Sequence, residues 1–326
     1  MSKTTIYDVA EAAEVGIGTV SRVLNNSEKV SDETRNKVLK VIKELNYYPN
    51  GMARGLALQR TNAIGVMVPS FIDHFFVEVL RGVQAGLNQF DLDLVLFKVD
   101  KEEKDKHINR VLQGRKVDGV LAITLDLTKE EVNKFKELDL PLVLVDDYQQ
   151  DVNSIFVDDI AGVKKAISYL IELGHQRIAF FDGPLESNHG KQRLEGVKIA
   201  FAEAGLEFDE QLLQEGDFTV ESGYQSMKKI LDVEERPTAI FAASDDQAVG
   251  ALEAIKEEGL SVPDGFALIG YDNIELARYL DLTTVSQPMF KMGELGIETL
   301  AKLIYSKQDD LIKKKIEPKL VIRNSC

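Results

Sequence analysis

The sequence predicts an α/β protein in two parts, a small helical head followed by a core of parallel strands and helices. Three amphipathic helical patterns occupy the first 48 residues. From about residue 62, short apolar runs alternate with amphipathic stretches, which is typical of βαβ units whose sheet is covered on both faces. This layout starts twice, with the strand AIGVMVP and again with RIAFFDGP, and therefore predicts two similar subdomains.

The first two helices are predicted to form a helix-turn-helix. Apolar residues from Ile6 to Ala13 recur at helical spacing, and Thr5 suits the N-cap. In the second helix, Val20 and Val23 form an inward face and leave a polar, basic edge outside. A short break at 14–16 joins the two helices, which fits a motif that places its second helix in the DNA major groove. An ordinary helical hairpin fits the periodicity equally well.

A third helix completes the predicted head, and a weak linker follows it. Ser31 is the predicted N-cap, and the apolar residues between Val38 and Leu45 face the shared core. The next segment, Tyr47–Ala57, is short and holds two interior glycines, each costing about 1 kcal/mol relative to alanine. We therefore expect residues 50–58 to be disordered alone and helical only when a partner holds them.

The apolar runs of the core are predicted to be buried strands. They are Ile64–Val68, Leu94–Phe97, Val117–Ile123, Leu142–Val145, Ile178–Phe181, Ala239–Ala242 and Ala267–Ile269. In sheets of this kind, ligands bind at the carboxyl ends of the strands. Two sets of strand ends facing one cleft would form a single ligand site between the subdomains.

Composition limits the classes of protein that the chain can belong to. Its 326 residues suit two or three domains, and its 44% hydrophobic content contains no long apolar run. Cys326 is the only cysteine, which excludes internal disulfides and fits a reducing cytoplasm. The four histidines are scattered without metal-ligand spacing. We expect a cytoplasmic, nucleoid-associated protein with no signal peptide, membrane contact, metal or cofactor.

The charge is distributed unevenly between the two parts. The whole chain carries a net charge of −15, yet residues 1–60 hold nine Lys/Arg and seven Asp/Glu, a net +2. The remainder holds 30 and 47, a net −17. Because DNA phosphates repel the acidic bulk, only the head is expected to face DNA.

Several strings of the sequence also occur in one known family of proteins. They include TIYDVAEAA, TVSRVLNN and ARGLA in the first part, and IGVMVP, LGHQRIAFFDGP, RLEGVKIAFAEAG and IGYDN in the core. Over essentially its whole length the chain resembles the lactose/galactose/purine repressor (LacI/GalR) family of bacterial transcription regulators. The resemblance implies a two-lobed, periplasmic-binding-protein-like core of doubly wound parallel sheets. It implies a head at 1–48, a hinge helix and linker at 49–61, and a core at 62–326, with subdomain one at about 62–157 and 290–320 and subdomain two at about 158–289 and 321–326.

The head offers several candidates for DNA contact. Arg22 can pair bidentately with guanine, although a phosphate contact is the alternative. The resemblance implies that Leu56 wedges into the minor groove and kinks the DNA, against the alternative of a buried linker leucine. The predicted DNA-binding residues are Thr5, Ile17, Gly18, Thr19, Ser21, Arg22, Asn25, Asn50, Ala53, Arg54, Leu56 and Ala57.

The chain also departs from the family within the head. A glycine is usual where Glu14 stands and a capping serine where Gly16 stands, and Gly18 has no side chain to read a base. These departures leave the helix-turn-helix expected but make the operator sequence uncertain.

The cleft candidates come from loops at strand ends. By resemblance, Arg193 and Asp272 match the ligand-binding positions that the family uses most widely, and a guanidinium with a carboxylate can grip a vicinal diol. Phe75 and Phe218 suit stacking against a ring; Phe76 and Phe218 as plain core, and Arg193 in a surface ion pair, are the alternatives. The predicted effector-binding residues are Phe75, Phe76, Asp146, His189, Arg193, Phe218, Ser244, Asp245, Asp272 and Gln287.

We predict a homodimeric transcription regulator, a repressor, whose two heads bind a pseudo-palindromic double-stranded operator. A sugar or sugar derivative is the expected effector, because Ser187 stands where the purine repressor has the arginine that reads the purine. A purine-responsive repressor is one alternative. A global carbon-catabolite regulator with a phosphorylated carrier protein as co-effector is another.

The sequence shows no pattern of an enzyme. The acidic pairs Asp146-Asp147 and Asp245-Asp246 end strands, where carboxylates can do acid/base work. By resemblance, one carboxylate of each pair suits hydrogen bonding to a ligand instead. Gly16-Ile17-Gly18 does not follow a strand, so it does not predict a phosphate loop. A transport-type sugar-binding protein would share the core but needs a signal peptide and no head. We therefore expect no catalytic residues.

Overall fold

The computed structural model describes residues 4–24, 27, 29–47, 60–90, 92–114, 116–306 and 310–326. The chain divides into two compact units, Met1–Asn62 and Ala63–Cys326. No helix among the described residues is long and apolar enough to cross a membrane.

In its described residues, the first unit contains three helices around a small apolar core. They are α1 (Ile6–Ala12), α2 (Ile17–Leu24) and α3 (Asp32–Glu44). Val9, Val20 and Val38 are fully buried where the helices meet. The carboxylate of Asp8 accepts hydrogen bonds from the N–H of Thr5 at 2.7 Å and from its hydroxyl at 2.8 Å, so the predicted cap at the start of α1 is present.

The second unit alternates strands and helices along most of its length. Its strands are β1 (Ala63–Val68), β2 (Asp93–Lys98), β3 (Val120–Ile123), β4 (Leu142–Val145), β5 (Asn153–Val157), β6 (Ile178–Asp182), β7 (Leu213–Glu215), β8 (Ala239–Ala242), β9 (Ala267–Asp272), β10 (Thr283–Ser286), β11 (Lys313–Ile316) and β12 (Lys319–Val321). Its helices are α4 (His74–Leu87), α5 (Lys104–Gly114), α6 (Lys129–Glu137), α7 (Asp159–Glu172), α8 (Asn188–Glu203), α9 (Val220–Leu231), α10 (Asp245–Glu257), α11 (Glu275–Tyr279) and α12 (Met289–Ser306).

The strands form two six-stranded sheets, each the centre of one lobe. The first lobe has the order β11-β5-β4-β3-β1-β2, with every neighbouring pair parallel. The second has the order β12-β10-β9-β8-β6-β7, in which β12 alone runs antiparallel to its neighbour. The chain passes between the lobes after β5, after β10 and after β11.

Close packing of two helices shapes the first lobe. Helices α4 and α12 approach so closely that a Cβ on Gly82 would lie 1.9 Å from the carbonyl oxygen of Phe290. A Cβ on Gly293 would lie 2.1 Å from the carbonyl oxygen of Val79. Glycine is therefore required at both positions, because any side chain would push the two backbones apart.

All seven predicted apolar runs are strands, although the run predicted to begin at Val117 begins at Val120. The strands that periodicity did not predict lie mostly at sheet edges. Strand β11 consists of three exposed lysines and Ile316, and charged residues are common on edge strands because they prevent association with another chain. Because its sequence is polar, a search for apolar runs does not identify this strand.

Candidate functional site

Helix α2 exposes one edge of the head to solvent. Val20 and Val23 are buried beneath the helix, whereas Ile17 is 41% exposed and Arg22 is exposed. Of the other predicted DNA contacts on this helix, Gly18 is exposed and Thr19 and Ser21 are half-buried. The helix thus exposes Arg22, which can pair with a base, and Ile17, which can contact an apolar methyl group.

Several predicted DNA contacts cannot be placed on this surface. Thr5 lies at the start of α1, where its hydroxyl donates to Asp8. Asn25, Asn50, Ala53, Arg54, Leu56 and Ala57 lie outside the described residues, and so does the segment 50–58 for which we predict a change from disorder to helix.

The turn between α1 and α2 has the backbone conformation that favours glycine. Glu14 has a φ of +52°, in the left-handed region. Its carboxylate accepts a hydrogen bond from Lys37 of α3 at 3.0 Å, which holds the turn against the third helix. The departure from glycine at this position is therefore accommodated with backbone strain.

In the second unit, polar side chains collect where strands of both sheets end. Asp146 follows β4, Asp159 lies two residues beyond β5, and Asp272 is the last residue of β9. The two lobes contact each other here, since the His189 ring on α8 lies 2.9 Å from the carbonyl oxygen of Asp146. Asn188 adds a contact from its N–H to the carboxylate of Asp126 in the first lobe, at 3.4 Å.

Asp159 is the centre of a buried cluster. Its Oδ1 accepts hydrogen bonds from Arg193 Nε at 3.0 Å and from the Tyr271 hydroxyl at 2.8 Å. Its Oδ2 lies 2.8 Å from His189 Nδ1. The Arg193 guanidinium also donates to the carbonyl of Ala243 and lies over the Tyr271 ring, 4.1 Å from its centroid. Arg193 is thus held by buried partners and is not part of a surface ion pair.

The sequence did not point to Asp159 or Tyr271. The strand before Asp159 is NSIFV, whose first two residues are polar, so it does not read as an apolar run. Tyr271 lies inside β9 and is fully buried, where its hydroxyl needs the partner that Asp159 provides. A search for carboxylates two residues beyond every strand would have found Asp159 once β5 was recognised.

The charges in this cluster change the pKa values of its members. Burial by itself lowers the pKa of His189, but Asp146 and Asp159 outweigh it and raise that pKa to about 10. Burial opposes ionisation of Asp159, yet Arg193 and His189 together hold its pKa below the usual value. The cluster therefore contains ionised groups that are excluded from water and held by one another.

Asp272 and Phe218 both lie near Arg193. Asp272 accepts a hydrogen bond from Gln287 Nε2 at 2.7 Å, and burial raises its pKa well above the usual value although Arg193 lowers it. The Arg193 guanidinium lies 5.2 Å from the centroid of the Phe218 ring. That ring covers Gly183 so closely that a Cβ there would lie 1.9 Å from its Cζ atom.

Three of the predicted site residues have a strained backbone. Asp146, Phe218 and Asp272 have φ values of +56°, +67° and +115°. Residues other than glycine rarely adopt such values, which tend to cluster at binding sites where the surrounding structure fixes them. Three of the predicted effector-binding residues therefore have backbones held in unfavourable conformations.

Four other predicted residues occupy different roles. Asp245 is fully buried, and its carboxylate accepts from the Thr284 hydroxyl at 2.6 Å and the Ile274 N–H at 2.9 Å. Ser244 caps α10 and donates to the carbonyl of Phe218 at 2.8 Å. We infer that both residues position the loops. Phe75 and Phe76 pack edge to face, with centroids 5.3 Å apart, at the start of α4 against the apolar core.

The described side chains bring together fixed hydrogen-bond donors, carboxylates and one aromatic face. Arg193 lies close to His189, Asp272 and Phe218, and His189 contacts the other lobe. No group of three or more His, Cys, Asp or Glu within the described ranges has the arrangement of a metal site. Such an arrangement suits recognition of a polar ligand whose ring has one apolar face.

Comparison with known proteins adds independent information on both units. A model of bacterial regulatory proteins of the lacI family matches residues 5–50. A model of a periplasmic binding protein-like domain matches residues 167–326. The HTH-type transcriptional repressor PurR of Klebsiella pneumoniae subsp. pneumoniae is 37% identical over 329 residues, which cover 98% of this chain and 96% of that protein.

Two solved structures resemble the chain over nearly its full length. The lac repressor dimer bound to operator and the anti-inducer ONPF has a TM-score of 0.88 at 30% identity, with 99% of each chain covered. The complex of the transcriptional regulator CelR with cellobiose has a TM-score of 0.75 at 33% identity, and covers 99% of this chain and 100% of the other.

Proposed function

The chain belongs to the lacI family of bacterial regulatory proteins and is a DNA-binding transcription regulator, and we propose that it is a repressor controlled by a sugar bound between its lobes. It binds operator DNA as a homodimer, as the lac repressor dimer does. We further propose that it acts in the cytoplasm on nucleoid DNA and catalyses no reaction. The division into a head at 1–48, a linker at 49–61 and a two-part core is part of the same proposal.

The cluster around Arg193 is the observation that supports a sugar as the effector. A guanidinium has five N–H donors in a fixed plane, and the contacts with Asp159 and Ala243 use Nε and Nη1. Asp272, held by Gln287, supplies an acceptor. A vicinal diol can accept from Arg193 and donate to Asp272, while the Phe218 ring covers an apolar sugar face. CelR binds cellobiose with a chain of the same fold.

Coupling between ligand and DNA follows from contacts that cross between the lobes. His189 on α8 contacts the carbonyl of Asp146, and Asn188 contacts Asp126. A ligand seated among these residues binds more tightly when the lobes stand at one angle than when they stand at another. It thereby shifts the population toward the conformation that it binds more tightly. The difference in affinity is the coupling free energy that changes operator binding.

Calorimetry with the full-length chain tests this proposal. Glucose, galactose, ribose and cellobiose are compared with hypoxanthine and guanine, using the wild type, Arg193→Ala and Asp272→Ala. We expect binding of at least one sugar, lost in both variants and retained in Asp264→Ala, a control on an exposed loop. Tight binding of a purine, or a sugar affinity unchanged in both variants, overturns the proposal.

A further inference from the structure

A small cavity lies beside the Asp159 cluster. Its volume is about 170 Å³, and its lining includes Asp147, Tyr148, Phe156 and Asn188. The rings of Tyr148 and Phe156 are 4.8 Å apart and form an apolar wall. The lining therefore combines an aromatic wall with acidic side chains, and it includes Asp146 and His189, to which we assign effector binding.

Asp147 has an oxygen in this region that no protein group satisfies. The residue is only 6% exposed, and its Oδ1 accepts from the N–H of Tyr148 at 2.8 Å and from Asn188 Nδ2 at 3.4 Å. Its Oδ2 is buried and has no hydrogen-bond partner among the described residues. A buried carboxylate oxygen without a partner is costly, so it calls for a donor that arrives from outside.

A second carboxylate nearby has the same property. Asp126 Oδ1 is buried without a partner within the described part of the chain, while its Oδ2 is 3.4 Å from the N–H of Asn188. Asn188 thus contacts both carboxylates, Asp147 with its side chain and Asp126 with its backbone. Burial and the neighbouring Asp126 raise the pKa of Asp147 to about 6. The two ionised carboxylates repel each other, and a cation between them would offset that unfavourable interaction.

The cations that lie nearby are engaged elsewhere. Lys104 pairs with Glu131 at 3.0 Å and donates to the backbone carbonyl of Asp126 at 2.9 Å. Arg193 and His189 are both held by Asp159. Asp147 lines the cavity, and Asp126 lies beside it on the far side of Asn188. None of these three side chains donates a hydrogen bond to either carboxylate.

We propose that the cavity takes a protonated primary amine of the effector, held between Asp147 and Asp126 with the adjoining carbon against Tyr148 and Phe156. This inference rests on the proposed sugar-binding function and narrows it to an amino sugar. An ammonium group donates three hydrogen bonds from one atom, which matches two unpartnered carboxylate oxygens and leaves one donor for a ring or backbone acceptor. A hydroxyl donates only one, and a phosphate would meet two like charges.

Matched sugars test the amine directly. Calorimetry on the full-length chain compares glucosamine, galactosamine and mannosamine with glucose, galactose and mannose, and with the three N-acetylated forms. We expect one amino sugar to bind about tenfold or more tightly than its hydroxyl and N-acetyl counterparts, because a charge-assisted contact is lost in each. Asp147→Asn and Asp126→Asn should each reduce that preference to about twofold or less.

Asp151→Asn is the control, since Asp151 is exposed on the loop that follows Asp147. Thermal unfolding of each variant shows whether it folds, and two separate variants keep the test decisive if one does not. A sugar that binds equally well with amine or hydroxyl overturns the amine and leaves the proposed function standing. A preference for the amine that survives in both Asn variants also overturns it. Failure of every sugar in the panel to bind counts against the proposed function and against this inference with it.

Discussion

Asp159 and Arg193 form a buried ion pair in which Nε lies 3.0 Å from Oδ1 and the two residues are 2% and 5% exposed. The pair joins α7 to α8 and orients the guanidinium toward the junction of the lobes. The same oxygen also accepts a hydrogen bond from the hydroxyl of Tyr271 on β9. Tyr271 therefore helps to hold Asp159 in the position from which it orients Arg193. Recognition of a ligand by Arg193 therefore rests on the geometry of Asp159.

Replacement of Asp159 should strongly destabilise the second unit. Asp159→Asn keeps the shape of the side chain but leaves the charge of Arg193 buried and unpaired, at a cost of about 3–5 kcal/mol. Urea denaturation of the variant measures the free energy of unfolding. Asp151→Asn, on an exposed loop, is the control and should change it little. A loss below about 1 kcal/mol would show that the ion pair contributes little to stability.

The stability of the core should fall as the pH rises. The folded pKa of His189 is raised to about 10, so its contribution is complete below about 6.5 and is lost between about 6.5 and about 10. Burial raises the pKa of Asp182 to about 8. That group ionises more readily in the unfolded chain, so raising the pH from about 4 to about 8 also favours unfolding.

Urea denaturation at pH 6, 8 and 10 (chosen to bracket these values) measures the effect. His189→Gln should lose stability at pH 6 and show a smaller decline up to pH 10 than the wild type. A decline of equal size in both proteins would assign the pH dependence to other groups.

A methyl group at Gly183 should displace the Phe218 ring. The added Cβ would lie 1.9 Å from Cζ of that ring, and a distance so short requires the ring to move. We expect Gly183→Ala to weaken effector binding about tenfold or more, because the aromatic face moves away from the ligand. In the control Gly114→Ala, the added Cβ meets only the Lys116 side chain at 3.5 Å, so its calorimetric affinity should match the wild type.

The sequence predicted the head and most central strands because their signals are local. Val20 and Val23 recur at helical spacing, and both are buried as expected. Arg193 and Asp272 came from resemblance to a family, and the structure places Arg193 beside Phe218 and close to His189 and Asp272. No local pattern indicates such neighbours, since they come from three separate segments: helix α8, the loop before α9 and strand β9.

The missed features depend on partners that are distant in sequence. The sequence predicts Asp245 as a ligand contact because it closely follows an apolar strand, yet its oxygens accept hydrogen bonds from Thr284 and Ile274, 39 and 29 residues away. The role of Asp159 becomes visible only when α8 and β9 bring Arg193 and Tyr271 to it. Periodicity cannot predict such contacts, because it describes one element at a time.

Arg22 should contribute to the sequence specificity of DNA binding. Arg22→Ala removes an exposed guanidinium from the outer edge of α2 and should cost on the order of 1–3 kcal/mol in affinity for operator, if Arg22 pairs with guanine. Fluorescence anisotropy with operator and random duplexes, at several salt concentrations, measures both affinities. Lys40→Ala removes an exposed cation from α3 and is the charge-matched control. Equal weakening on both duplexes would identify Arg22 as a phosphate contact.

A glycine in place of Glu14 should stabilise the head. The φ of +52° at Glu14 strains any residue with a Cβ, whereas its contact with Lys37 joins two exposed side chains and is screened by water. Relief of strain should outweigh the lost ion pair, so in Glu14→Gly the amides of α1 and α2 should exchange about fivefold more slowly. Glu11→Gly supplies a control of opposite sign, because Glu11 lies inside α1, where glycine weakens the helix and should speed exchange. Faster exchange in Glu14→Gly would mean that the bond between Glu14 and Lys37 stabilises the turn more than its backbone conformation strains it.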